Sequence, residues 1–157
     1  MPLPDGRLLA TFMTDNDIFL NSRENPNEFW VRMLTATEHL SVLLDKFQLV
    51  DKVLMRNAST CKLDRVAGTS WIAVGDAACA FDPLAGNGIL KALQSGIDSS
   101  EDILPNESSK QDDLQLYADK IIAIFYEYLR ERQKYYQKEQ RWPHSPFWRR
   151  RHLSMVD

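Results

Sequence analysis

The stretch "SWIAVGDAACAFDPLAGNGILKALQSG", residues 70–96, constrains this chain more than any other. An apolar run ends abruptly in Gly75-Asp76, and a loop carrying Pro83, Gly86 and Gly88 then precedes a second apolar pattern. "SWIAVGD" reads as a strand buried on both faces, because its apolar residues are consecutive rather than alternating. After Gly88, Ile89, Leu90, Leu93 and Ile97 fall on one helical stripe, with Ala92 and Gly96 leaving small surfaces for close packing. The expectation is therefore strand, loop and helix. A carboxylate at the carboxyl end of such a strand sits where open α/β sheets bind ligands. Asp76 can only accept hydrogen bonds there, which suits hydroxyl donors such as a polyol or ribose. Gly75 permits close approach of another backbone or a ligand. Gly86 and Gly88 leave backbone N–H groups unobstructed at a helix start, a niche that favours negative charge. Spacing alone leaves a plainer reading equally open: Asp82 caps the turn, Pro83 stiffens it, and the glycines only allow tight packing.

The rest of the chain supplies helices. "RLLATFM", residues 7–13, reads as a strand after the turn signal Pro4-Asp5-Gly6, with Asp15 or Asn16 capping a short turn through "DIFL". Phe29, Trp30, Met33, Leu34, Leu40, Leu43, Leu44 and Phe47 recur at intervals of three and four, predicting one or two amphipathic helices with a break near Thr35 to Thr37. "KVLMRNAS" is a further strand candidate. "LPNESSKQDD" reads as a polar linker that ends the helix begun after Gly88. From about Asp112 a long helix is expected, with Leu114, Tyr117, Ile121, Ile124, Tyr128 and Tyr135 on its packing face and acidic residues at its start. Pro143 and Pro146 stop it.

Composition narrows the class without choosing a function. A chain of 157 residues, 44% hydrophobic and 26% charged, is compatible with one globular domain. The net charge of -3 gives no general reason for a nucleic-acid partner. Residues 130–152 nevertheless carry a local excess of basic residues, which reads either as a docking surface for an acidic partner or as the solvated face of a terminal helix. Two cysteines are too few for a disulfide framework and fit a reduced, intracellular setting. The N-terminus lacks the pattern of a secretory signal, and no apolar run approaches the ~18 residues of a membrane span. The expectation is a cytoplasmic protein with no membrane association.

Other residues read as structural first. His39 has the neighbours of a surface position, Cys79 those of a small buried hydrophobe, and the tyrosines of the long helix those of packing residues. Trp142, Phe147 and Trp148 beside Arg149, Arg150 and Arg151 suit aromatic anchors of the tail, with stacking on a base or a partner protein as the alternative. Asp15 and Asp17 have no further ligands spaced to complete a metal site. No residue stands out as a catalytic acid, base or nucleophile.

"WIAVGDAACAFDPLAGNGILKALQSG" resembles the second flavin-binding motif of the FAD-dependent monooxygenases and flavin-dependent halogenases. There a Gly-Asp-Ala-Ala ends a strand, and a Pro-containing, Gly-rich loop opens a helix. The resemblance implies FAD as cofactor, with Gly75 in the motif, Asp76 on the ribityl hydroxyls, and Pro83, Leu84, Ala85, Gly86, Asn87 and Gly88 facing the flavin. The anion niche would then serve the pyrimidine edge of the isoalloxazine, which becomes anionic on reduction. "TFMTDND" and "EQRWPHSPFWRRRH" resemble segments of the halogenase-like branch, especially the flavoproteins that accompany quinone-cofactor amine or amino-acid oxidases. Cys79 and Ile89 stand where aromatic hydroxylases of the wider superfamily often carry His and Asn; Ala85 and Asn87 stand where the halogenase-like branch has Ser or Gln. The sequence contains no Gly-x-Gly-x-x-Gly, the feature that holds the adenosine half of a dinucleotide.

The resemblance thus implies an α/β (or α+β), helix-rich chain equivalent to the C-terminal portion of a two-domain, FAD-binding Rossmann-like monooxygenase, lacking the first βαβ unit. Residues 1–60 would end a substrate-domain-like region, 61–105 would form the strand, loop and helix of the FAD domain, and 106–157 the polar linker and C-terminal helical region. Such a chain would contribute the flavin-binding segment of an enzyme that oxygenates an aromatic group, in a peptide or protein substrate, together with an N-terminal half or partner protein. The alternative is a non-catalytic remnant or interaction module that binds no flavin alone.

Overall fold

The computed structural model describes residues 1–44, 46–69, 71–103 and 110–153. They divide into two compact units, residues 1–56 and 57–157.

The first unit is built on three short helices. α1 (Asn16–Ser22) starts at Asp15, whose carbonyl accepts from the Ile18 and Phe19 amides. α2 (Pro26–Thr35) starts at a complete capping box: the Asn25 side chain accepts from the Glu28 amide, and the Glu28 carboxylate accepts from the Asn25 amide. Pro26, with no amide to satisfy, occupies the first turn. α3 (Glu38–Leu44) follows after the break expected near Thr35 to Thr37. Phe29 and Leu34 are buried, and the rings of Phe12 and Phe19 meet Phe29 edge-on at 6.0 and 5.2 Å. Leu40 and Phe47, expected on the same apolar face, are exposed.

Neither strand expected in this half forms. In residues 7–13 only Leu8 pairs, as an isolated bridge to Pro2. "KVLMRNAS" has no regular structure either; the Val53 amide is satisfied by the Asn27 side chain at 2.9 Å. A strand needs a neighbour to accept its backbone bonds, and among the described residues the first segment has one only at Leu8 and its flanking residues.

The second unit has two antiparallel pairs of very short strands. β1 (Cys61–Lys62) pairs with β4 (Cys79–Ala80), placing Cys61 opposite Ala80. β2 (Ala67–Gly68) pairs with β3 (Trp71–Ile72), placing Ala67 opposite Ile72. The run "SWIAVGD" is therefore a two-residue strand and not a fully buried one. Among the described residues it has a neighbour on one edge only, and Trp71 is 48% exposed. α4 (Gly88–Ile103) and α5 (Lys110–Lys138) supply most of the remaining structure. The expected linker lies for residues 104–109 outside the described residues, and the long helix starts at Lys110, before Asp112. Helix-rich with small sheets, the chain is consistent with an α/β class.

The core of this unit is the seam between α5 and the strand segments. Val66, Ala78, Cys79, Tyr117, Ile121 and Phe125 are buried together, with Phe81 and Leu129 packed against them. Tyr117 is fully buried, and its hydroxyl donates to the Ala73 carbonyl at 2.7 Å. Phe125 belongs to the packing face, whereas Tyr135 is exposed. α6 (Pro146–His152) returns against α5: the Trp148 ring meets Tyr136 at 5.9 Å, the Arg151 guanidinium lies over Phe147, and the Gln133 amide donates to the Arg151 carbonyl at 2.9 Å. Phe147 and Trp148 thus anchor the tail, while Trp142 is exposed.

α4 presents the face opposite to the one expected. Ile89, Leu90, Leu93 and Ile97 are 54–80% exposed, and the buried side carries Ser95 and Ser99. The reason lies at Gly75. Its φ of +59° is a conformation glycine adopts freely, and a Cβ there would come within 3.1 Å of the Ala92 Cβ. Its buried amide has no strand partner and donates instead to the Ser95 hydroxyl at 2.8 Å, which in turn donates to the Ala92 carbonyl. That bond fixes which side of α4 faces inward. Ser95→Ala leaves the Gly75 amide unpaired and is expected to lower stability by about 1–3 kcal/mol. Ser100→Ala on the exposed side should change it by no more than about 0.5 kcal/mol. Urea unfolding of the two variants measures the difference, and equal midpoints would refute the assignment.

Candidate functional site

The loop between β3 and α4 is held in a defined shape from below. Residues 75–77 form one tight turn and residues 83–85 another. Asp82 starts the second: its Oδ1 accepts from the Leu84 amide at 3.0 Å. Pro83 occupies the first position, and Gly86 ends the turn at a φ of +66°. The turn-capping reading of Asp82 and Pro83 is therefore correct as local structure. It does not exhaust the geometry.

α5 pins the same loop through two tyrosines. The Asp82 amide donates to the Tyr128 hydroxyl at 2.7 Å, and the Tyr136 hydroxyl donates to Asp82 Oδ2. The Tyr128 ring stacks on Phe81, centroids 3.9 Å apart and planes within 2°. On the ring of Phe81, 4.2 Å from its centroid, lies the Lys91 ammonium. Lys91 also donates to Asp76 Oδ1 at 2.7 Å and to the Cys79 carbonyl. Helix, ring, cation and carboxylate form one continuous series from α5 to Asp76.

Above this series opens a cleft of about 250 Å³, lined by Asp76, Phe81, Asp82, Pro83, Ala85, Gly86, Asn87, Gly88, Ile89 and Lys91. Of the sequence-predicted site residues, Asp76, Pro83, Ala85, Gly86, Asn87 and Gly88 meet there. Gly75 lies buried behind the wall and Leu84 is exposed outside the lining. Phe81, Asp82, Ile89 and Lys91 complete the wall without having been expected there. Lys91 follows Asp76 by fifteen residues, a separation with no helical or strand periodicity to betray the pairing. The lining includes Gly88 and Ile89 in the first turn of α4, where backbone amides lack helical acceptors.

The cleft is suited to binding more than to proton transfer. Both oxygens of Asp82 have partners, in the Leu84 amide and the Tyr136 hydroxyl. Burial pushes the Cys79 thiol above its usual range, so it is a thiol and not a reactive thiolate near neutrality. His39 belongs to the first unit and is exposed. Among the described residues no group of three or more His, Cys, Asp or Glu is arranged to hold a metal ion. None of the described helices is long and apolar enough to cross a membrane. In the basic stretch, Lys134 pairs with Glu131, Arg141 with Glu139, and Arg132 donates to Thr60.

Burial, reinforced by the bond to Asp82, pushes the Tyr136 hydroxyl up to about 12. A raised folded-state value means that this contribution to stability is fully present below about pH 10, the ordinary tyrosine value, and is lost as pH rises through about 12. Tyr136→Phe is expected to flatten the alkaline limb of stability between about pH 10 and 12. Denaturant midpoints across that interval check it; an unchanged limb would contradict the burial of the Tyr136 hydroxyl that raises it.

A family model described as tryptophan halogenase matches residues 29–156. In Marinomonas mediterranea, the protein named "Putative FAD-dependent oxidoreductase LodB" is 30% identical over 145 residues. That alignment covers 92% of this chain and 38% of the relative, so the chain spans well under half of the relative's length. No solved structure matches the chain. The cleft and its loop fall wholly within the matched residues, and the chain belongs to the tryptophan halogenase family.

Proposed function

We propose that this chain supplies one wall of an FAD site in a flavin-dependent oxidoreductase, binding the ribityl chain and the pyrimidine side of the isoalloxazine. The observation that carries the reading is the convergence of Asp76, the loop from Pro83 to Gly88 and the start of α4 on one cleft. The residues fit such a ligand. Asp76 is a mostly exposed acceptor for hydroxyl groups, and at Gly86 and Gly88 a Cβ would meet nothing within 4 Å, so a ring can approach the backbone there. Amides at the start of α4 favour the edge of a ring that gains negative charge. A volume of about 250 Å³ is below the roughly 300–1,000 Å³ of pockets that enclose small molecules, so the cleft would hold part of a dinucleotide and leave the rest to other polypeptide.

In the whole protein, bound FAD would supply the redox chemistry that activates dioxygen, and an aromatic group, in a peptide or protein, would be the acceptor of oxygen. This chain's share is binding and orientation: Asp76 fixes the polyol, the loop fixes the ring edge, and the tyrosines of α5 keep both in register. Phe81, stacked on Tyr128, forms an apolar part of the wall. We also propose a cytoplasmic setting, in keeping with two free cysteines, one of them exposed.

A second reading is favoured by one specific observation. The apolar stripe of α4, more than half exposed at each of four positions, is a surface that soluble proteins usually cover. On this reading the chain docks on an N-terminal half or partner protein and binds no flavin without it.

Titration with FAD, followed by flavin absorbance and fluorescence, separates the two. Saturable binding that weakens at least about tenfold in Asp76→Ala is expected from the first reading, since bonds to a charged acceptor are worth about 1.5–3 kcal/mol. Binding that is absent, or indifferent to Asp76, would leave the second.

A further inference from the structure

The cleft lining holds two carboxylates, Asp76 and Asp82, and one cation, Lys91. The ion pair between Lys91 and Asp76 is lopsided: the lysine side chain is 12% exposed and the carboxylate 73%. An exposed carboxylate needs no partner, since water solvates it. A buried ammonium does, because removing an unpaired charge from water is costly. Lys91 is accordingly held by its surroundings on every side that the structure shows: the Cys79 carbonyl on β4, the face of Phe81, and Asp76 Oδ1. Phe81 is itself fixed by its stack on Tyr128.

The consequence falls on the carboxylate. One oxygen of Asp76 is tied to a cation that cannot swing away, while the side chain as a whole stays open to the cleft. We infer that Lys91 is a positioning residue: by fixing one carboxylate oxygen of Asp76 it presents the other to the hydroxyl groups of a polyol ligand, and so sets the preference of the cleft for a flavin that carries a ribityl chain. The inference rests on the flavin reading above and adds to it the residue that makes Asp76 selective. A freely rotating exposed aspartate would have to lose side-chain entropy on binding; one already held does not.

Riboflavin and lumiflavin share the ring system and differ in the ribityl chain, so together they isolate this effect. Lys91→Met is expected to weaken riboflavin about tenfold, the scale of a lost bond to a charged group, and to leave lumiflavin within about twofold. Lys91→Arg should recover part of the loss, and Lys91→Met should cost nothing further once Asp76 is alanine. Equal losses for both flavins, or additive effects of the two substitutions, would overturn the inference. A wild-type chain that prefers riboflavin through Asp76 yet is indifferent to Lys91 would overturn this inference alone. A wild-type chain that binds neither flavin would overturn the flavin reading and this inference with it. A measurement on the unliganded chain guards against a Lys91→Met variant that does not fold. The Lys91 ammonium should give a nitrogen-proton NMR signal that shifts in Asp76→Ala, and an unchanged signal there would equally count against the inference.

Discussion

The tyrosine hydroxyls of α5 hold together a segment whose strand pairing extends only to Cys79 and Ala80. Strands of two residues satisfy few of their own backbone groups, and the stretch from Ala73 to Asp82 would otherwise bury unpaired ones. Tyr117 donates to the Ala73 carbonyl, Tyr128 accepts from the Asp82 amide, and Tyr136 donates to the Asp82 carboxylate. The Tyr117 ring lies in the seam with Ile121 and Phe125, the Tyr128 ring stacks on Phe81, and the Tyr136 ring meets Trp148. One helix therefore supplies both the apolar contact and the hydrogen bonds, and the cleft above inherits its shape from that arrangement.

Electrostatics follow from the same packing. Because Phe81 is clamped by Tyr128, its free face is available to a cation, and Lys91 can be buried without being left unpaired. That burial brings a positive charge beneath Asp76 and offsets much of the negative charge in the cleft. Two carboxylates without it would repel the anionic edge that the amides of α4 favour.

Legibility in the sequence divided along the same line. Local signals carried well: the break near Thr35 to Thr37, Asp82 at a turn, and the long helix with its acidic beginning were readable from neighbours a few residues apart, whereas the capping box of Asn25 and Glu28 was not read from the sequence. The loop itself was readable too, because Pro83 and Gly86 demand particular backbone angles. What failed needed partners far away. "RLLATFM" and "SWIAVGD" have strand composition, but composition does not provide the neighbouring strands that make a sheet. The stripe on α4 was correct as a pattern and wrong in direction, since the Ser95 bond to Gly75 spans twenty residues and leaves no periodicity behind. Lys91 and the two tyrosines of the site escaped for the same reason, each looking like an ordinary helix residue.

The spacing of the α5 tyrosines has an evolutionary side. Tyr117 and Tyr128 are eleven residues apart, about three turns plus roughly 20°, and Tyr136 follows after eight more, about two turns plus roughly 80°. All three therefore lie within an arc of one helix flank, whose opposite side carries exposed residues such as Glu127 and Lys134. One inserted residue between Tyr117 and Tyr136 would rotate part of that flank by about 100° and part its hydroxyls from their partners. Substitutions on the outer side cost nothing comparable. Descendants of this gene can thus drift freely in the letters of the outer face while the length of the helix between those tyrosines stays fixed.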